Sequence, residues 1–248
     1  MVQQLLIDIA PYVVSVSLLL APAYFLLFPK SSRVRQRRLF HPDGPFVSEI
    51  GFGAWPIAGA FGEVDRQLGI KTVQAAVRLG LTFIDTADYY ETPTFHKAQG
   101  IAGGSETVIG LALQQDPSLD AFVTTKVSAL PHTAAKIKSK CADSLRNLQL
   151  PSLPLLQLHS YDVDTPIRER MSALAGLQAE GKISYIGLNN TTLEQLEEAW
   201  ATDTRFHTLQ VRYHMFSRKE IEAEIAPCKP PRPSPLRGLG CGCRESQT

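Results

Sequence analysis

Cysteine is scarce in this 248-residue sequence, and three of its four cysteines, Cys228, Cys241 and Cys243, fall in the final stretch. No spacing among them builds a disulfide framework, so a reducing, intracellular setting is the default expectation. They also make a poor zinc set, because no histidine stands near three thiols, and no metal is expected. Net charge of one sign is lacking too. At +1 overall, the chain carries no electrostatic footprint for nucleic acid. A third absence concerns glycine. No Gly-x-Gly-x-x-Gly follows the first β-rich run and opens a helix, so the dinucleotide fingerprint of a Rossmann unit is missing.

Long apolar runs are absent except at the start. Leu5 to Phe28 is mostly apolar, broken by Asp8, Pro11, Ser15, Ser17 and Pro22. About two dozen residues suffice to cross a bilayer. Lys30, Arg33, Arg35, Arg37 and Arg38 follow directly, which would leave the remainder on the cytosolic side. A cleaved signal peptide fits less well, since no basic residue precedes the run. Residues 1–45 therefore stand as an extension with three open readings: a membrane anchor, a loosely packed leader, or a targeting segment. The expected location is cytoplasmic, with the folded part facing the cytosol if the anchor is real.

From Val47 onward, short β-rich runs alternate with amphipathic stretches. Strands are expected at residues 50–55, 82–85, 122–126, 155–159, 183–187 and 209–213. Helices are expected at 65–79, 105–115, 133–148, 165–180 and 192–201, with Ser105 and Thr191 as caps. Six strands alternating with five helices argue for a parallel α/β sheet. It could close as an open doubly wound sheet or as a (β/α)8 TIM-type barrel. Polar residues cluster at strand C-terminal ends, where barrel active sites lie. The expected domain covers residues 46–225 and holds about six of the eight βα units, since a full barrel takes about 250 residues. In residues 226–248, Pro227, Pro230, Pro231, Pro233 and Pro235 oppose a regular helix or a central strand. That stretch is expected to be disordered.

The chemistry concentrates on three consecutive strands. Asp85 closes the second strand, and Tyr90 follows five residues later. Lys126 closes the third, and His159 the fourth. Singly, each has a bland explanation as a cap, packing, surface or satisfied structural residue. Together, they bring titratable groups to one rim. A carbonyl accepting hydride builds negative charge on oxygen, and so needs a proton donor and hydrogen-bond donors there. Tyrosine, with an ordinary pKa of about 10, needs a neighbouring cation to favour its phenolate. Lys126 can supply that cation, with Asp85 as the carboxylate partner a buried lysine requires. His159 can donate to the substrate oxygen.

Several segments resemble the aldo-keto reductase family, in the family's order across residues 46–218. They are Gly51-Phe52-Gly53-Ala54-Trp55, Phe83-Ile84-Asp85-Thr86-Ala87-Asp88-Tyr89-Tyr90, and Gly104-Ser105-Glu106-Thr107-Val108-Ile109-Gly110. Thr124-Thr125-Lys126, Leu156-Gln157-Leu158-His159, Ile186-Gly187-Leu188-Asn189-Asn190 and Gln210-Val211-Arg212-Tyr213 continue the run. The resemblance implies a reductase of aldehydes or ketones, with NADPH as hydride source. It implies Tyr90 as general acid, Asp85 and Lys126 as its tuning pair, and His159 as the donor that orients a small-molecule carbonyl substrate. Asn189, Asn190 and Gln210 match positions that hold the nicotinamide carboxamide. Family members usually show Ser-Asn where this chain has Asn189-Asn190, a mild change because asparagine still offers a donor and an acceptor. Trp55 matches a substrate-pocket position, with a core tryptophan as the alternative.

The family's last two βα units, which close over the cofactor and select its phosphate, find no match after Arg218. Two expectations follow: an NADPH-dependent carbonyl reductase, or a truncated and inactive barrel that acts through partner binding at the exposed edges of strands one and six.

Overall fold

The structure is a computed structural model that describes residues 36–38, 44–62, 64–91, 104–128, 130–213 and 234–239. The expected anchor at residues 5–28 and the three C-terminal thiols lie outside these residues. Among the described residues, no helix is long and apolar enough to cross a membrane, and no cluster of ligating side chains could hold a metal.

Two short strands, β1 (Gln36–Arg38) and β2 (Phe46–Ser48), pair antiparallel in a sheet of their own. Arg37 and Arg38, the end of the basic run, thus lie on a strand. Among the described residues, the main sheet has seven parallel strands: β3 (Phe52–Gly53), β4 (Phe83–Asp85), β5 (Phe122–Val127), β6 (Leu153–Leu158), β7 (Ile183–Asn189), β8 (Thr208–Tyr213) and β9 (Ser234–Leu239). Their order in the sheet follows their order in the chain. A doubly wound sheet reverses its order at a switch point, so the monotonic order selects the partial (β/α)8 barrel over that alternative.

Among the described residues, five helices connect strands β3 to β8: α1 (Arg66–Arg78), α2 (Ser105–Gln115), α3 (Ala134–Leu148), α4 (Ile167–Ala179) and α5 (Leu193–Trp200). Their starts have local causes. Asp65 accepts from the Leu68 N–H at 2.8 Å, and Thr133 from that of Lys136 at 3.3 Å. Thr192, one residue beyond the expected cap, forms a reciprocal capping box with Gln195. Ser105 is the first helical residue rather than a cap; its hydroxyl meets that of Thr86 at 2.7 Å.

Two expectations about the C-terminal part are corrected. Ser234–Leu239 is a strand, although it lies in the stretch read as disordered. It also covers the edge of β8, the sixth expected strand, pairing from Thr208↔Ser234 to Tyr213↔Leu239. Pro235 is compatible because β9 ends the sheet, and an edge strand tolerates a residue with no N–H.

Register divides the sheet into two faces. Ile84, Val123, Leu156, Ile186 and Leu209 lie on one and belong to the buried core under the helices. Each such aliphatic side chain contributes about 1.5–3 kcal/mol on burial. The other face begins with aromatic residues at the N-terminal end. Phe83 stacks on Phe122 at 5.8 Å, and Phe122 packs at 6.3 Å against Tyr185. Two residues further along β4 and β5, this face turns polar with Asp85 and Thr124.

Candidate active site

Strand register places Asp85 opposite Thr124, and Lys126 opposite Gln157. His159 follows β6 directly, its N–H donating to Val127 O at 3.0 Å. Lys126 is 1% exposed. Burying an ammonium is costly unless carboxylate and carbonyl oxygens replace water. Both are present: Lys126 Nζ donates to Asp85 Oδ1 at 2.8 Å and to Thr86 O at 2.9 Å.

Tyr90 stands in a 3₁₀ turn, Asp88–Glu91, that follows β4. Lys126 Nζ lies 5.7 Å from the centre of its ring. Trp55 stacks on Tyr90 at 5.8 Å with 19° between planes, and Phe61 meets Trp55 edge-on at 5.3 Å. His159 presents its ring at 84° to Tyr90, with centroids 6.2 Å apart. The turn is anchored from β5, where the Ser128 N–H donates to Asp88 Oδ1 at 2.9 Å. The Ser128 hydroxyl hydrogen-bonds His159 Nδ1.

Burial, and next the Lys126 cation, push the His159 imidazole down from its ordinary value of 6.5 to about 4. At neutral pH, the ring is therefore uncharged. It can donate one hydrogen bond without adding a second cation beside Lys126.

Behind these residues runs a polar chain that links nonadjacent strands through the barrel interior. Gln210 Nε2 donates to Asp85 Oδ2 at 3.2 Å, and Gln157 Nε2 donates to Gln210 Oε1 at 2.9 Å and to Thr124 Oγ1 at 3.0 Å. Gln157 has room because β7 carries Gly187 beside it. A Cβ at residue 187 would come within 2.8 Å of Gln157 Cγ and 2.4 Å of Thr208 Oγ1.

All eight expected site residues meet at one end of the sheet. Asn189 and Gln210 are register partners. Asn190 holds φ at 51° and donates from Nδ2 to His159 O at 3.3 Å. Gln210, expected to face a carboxamide, has both ends of its amide engaged by Asp85 and Gln157. The sequence reading missed Ser128, Asp88, Thr124 and Gln157. Period-two counting back from His159 would have found Gln157, and counting on from Lys126 would have found Ser128.

A buried carboxylate braces this rim from outside. Glu106, on α2, accepts from Thr125 Oγ1 at 2.5 Å and from Asn147 Nδ2 at 3.1 Å. It thereby ties the strand that carries Lys126 to two helices.

Comparison with known proteins gives a consistent pattern. The model of the Aldo/keto reductase family matches residues 49–228. The aldo-keto reductase YhdN of Bacillus subtilis is 32% identical over 191 residues, covering 73% of this chain and 54% of the relative. The NADH-specific methylglyoxal reductase of Escherichia coli is 28% identical over 205 residues, covering 73% and 59%. Among solved structures, an aldo/keto reductase of Klebsiella pneumoniae in complex with NADP and acetate aligns with a TM-score of 0.65 at 31% identity. That alignment covers 78% of this chain and 64% of the other. The chain spans about half the length of the curated relatives it matches.

Proposed function

Because this chain belongs to the aldo/keto reductase family, we propose that it reduces aldehydes or ketones to alcohols with NADPH, Tyr90 acting as the general acid. One observation carries this reading: the Lys126–Asp85 ion pair sits beneath the Tyr90 ring, with a neutral His159 edge-on beside it.

The roles follow from charge. As hydride reaches the carbonyl carbon, negative charge grows on oxygen, and Tyr90 Oη delivers a proton there. The resulting phenolate lies beside a fixed cation whose own charge Asp85 balances. His159 donates a hydrogen bond to the same oxygen and orients the substrate. The aromatic wall of Trp55 excludes water from one side.

Asn189, Asn190 and Gln210 would hold the nicotinamide. The donor set suits a carboxamide, since three side-chain amides on adjacent strand ends offer both donors and acceptors. Gln210 would reach a carboxamide only by exchanging a bond it makes to Asp85 or Gln157. Bound there, the nucleotide supplies the hydride. Preference for NADPH over NADH is the finer part of the proposal, since one relative is NADH-specific by name.

The test is titration of the purified full chain with NADPH and with NADH, followed by nucleotide fluorescence and by turnover of small aldehydes. Saturable binding and turnover are expected. Tyr90→Phe should bind nucleotide as before while losing turnover by at least about 100-fold. No binding at high micromolar nucleotide, or unchanged turnover in the variant, would overturn the reading.

A further inference from the structure

His159 is held on three sides. Its N–H is bound to Val127 O, its carbonyl accepts from Asn190 Nδ2, and its ring Nδ1 meets the Ser128 hydroxyl. A neutral imidazole carries one N–H, and the two choices differ chemically. With the proton on Nδ1, the ring donates to Ser128, and Nε2 turns a lone pair toward the pocket. With the proton on Nε2, Nδ1 accepts from Ser128, and the pocket receives a donor. Only the second arrangement can hydrogen-bond a carbonyl oxygen.

The surroundings of Ser128 decide between them. Its backbone N–H is already given to Asp88 Oδ1 at 2.9 Å, which fixes the residue against the turn that bears Tyr90. Among the described residues, the hydroxyl proton has no acceptor other than His159 Nδ1. Accepting from Nδ1–H instead would leave that proton without a protein partner in a half-buried position.

We propose that Ser128 is the positioning residue that fixes the His159 tautomer, donating to Nδ1 so that Nε2–H is presented to the pocket. The inference deepens the proposed carbonyl reduction and rests on it only for the use made of the Nε2 proton. The tautomer itself is a property of the folded chain. Ser128 thus joins two groups of the site, since one residue holds the Tyr90 turn through its backbone and the His159 ring through its side chain.

The test is two-bond 1H–15N correlation on the full chain labelled with 15N-histidine at neutral pH, with His159→Asn used to assign the signals. A protonated Nε2 and an unprotonated Nδ1 are expected at His159. The opposite tautomer, or an equal mixture, overturns the proposal without recourse to any Ser128 variant. Ser128→Ala should release the ring to a mixture of tautomers. It should lower kcat by up to about tenfold while KM changes little. Ser128→Thr, which keeps the hydroxyl, should restore both. A His159 tautomer indifferent to Ser128→Ala would also overturn the proposal. If Nε2–H is present and depends on Ser128 while no carbonyl is turned over, the positioning stands and the reductase reading falls.

Discussion

Gln210 donates to Asp85 Oδ2 across 3.2 Å, although 125 residues separate the two in the chain. Asp85 thereby serves two donors with two oxygens, Lys126 on one and Gln210 on the other. The carboxylate cannot rotate to follow the lysine without giving up the glutamine. Holding the ammonium under the Tyr90 ring is therefore a property of strands four positions apart in the sheet, not of neighbours alone.

Gln210→Leu should remove that brace. It strands an oxygen of Asp85 and a donor of Gln157, at a cost of about 1–3 kcal/mol. The measurement is the urea midpoint at constant m-value. A midpoint equal to that of the parent would mean that the bond contributes nothing in solution.

The pH dependence of stability follows from His159. Its native value, about 4, lies below its ordinary 6.5, so the unfolded chain binds the extra proton between them. The neutral ring contributes stability that is fully present above about 6.5 and is lost as pH falls from there through about 4, at up to about 1.4 kcal/mol per pH unit. His159→Asn should therefore lose less stability than the parent between pH 7 and pH 5. Parallel urea curves for the two proteins at both pH values test this, and equal losses would refute it.

Glu106→Gln looks conservative and should not be. Glu106 accepts on both oxygens, from Thr125 and from Asn147. A glutamine keeps both contacts only by turning Oε1 to Asn147 Nδ2 and Nε2 to the Thr125 hydroxyl, which replaces two charge-assisted bonds by neutral ones and reverses the Thr125 hydroxyl. A loss of about 1–2 kcal/mol is expected. Adding Asn147→Asp, which turns that partner into an acceptor, should recover part of it. A double variant no more stable than Glu106→Gln alone would exclude the pairing as the cause.

Gly110→Ala tests how closely two helices approach. A Cβ there would lie 2.5 Å from Asn147 O and 2.8 Å from Leu148 C, both backbone atoms that cannot swing aside. α2 and α3 would have to separate, at about 1–3 kcal/mol. Thermal unfolding should show a lowered Tm, and an unchanged one would contradict the contact.

The alternation of β-rich and amphipathic runs made most of the fold legible. The expected helix at 105–115 coincides with α2, and the strand at 122–126 extends by only one residue, to Val127. Asp85, Lys126 and His159 stood out because charged or titratable groups end otherwise apolar runs. Other features were hidden for identifiable reasons. The first strand shrank to Phe52–Gly53, because propensity does not say how many residues find a partner. β9 escaped because proline argues against a central strand, and sequence alone does not reveal that a strand will be last in its sheet. Gln157 lies between Leu156 and Leu158 and reads as ordinary alternation. Its importance arises from Gln210 and Thr124, which no local pattern connects to it. Counting by two from Lys126 reaches Ser128, but nothing in its residue type announces that its hydroxyl bonds one ring nitrogen of His159.

The monotonic strand order has a consequence for how the chain is made. Each new strand of the main sheet pairs with the one synthesised just before it. A nascent chain released N-terminus first meets a template already laid down, and long-range search is reduced to docking one βα unit at a time. By the time His159 has emerged, Asp85, Tyr90 and Lys126 are already available to it. The Gln210 amide arrives last and locks an arrangement that its predecessors have assembled.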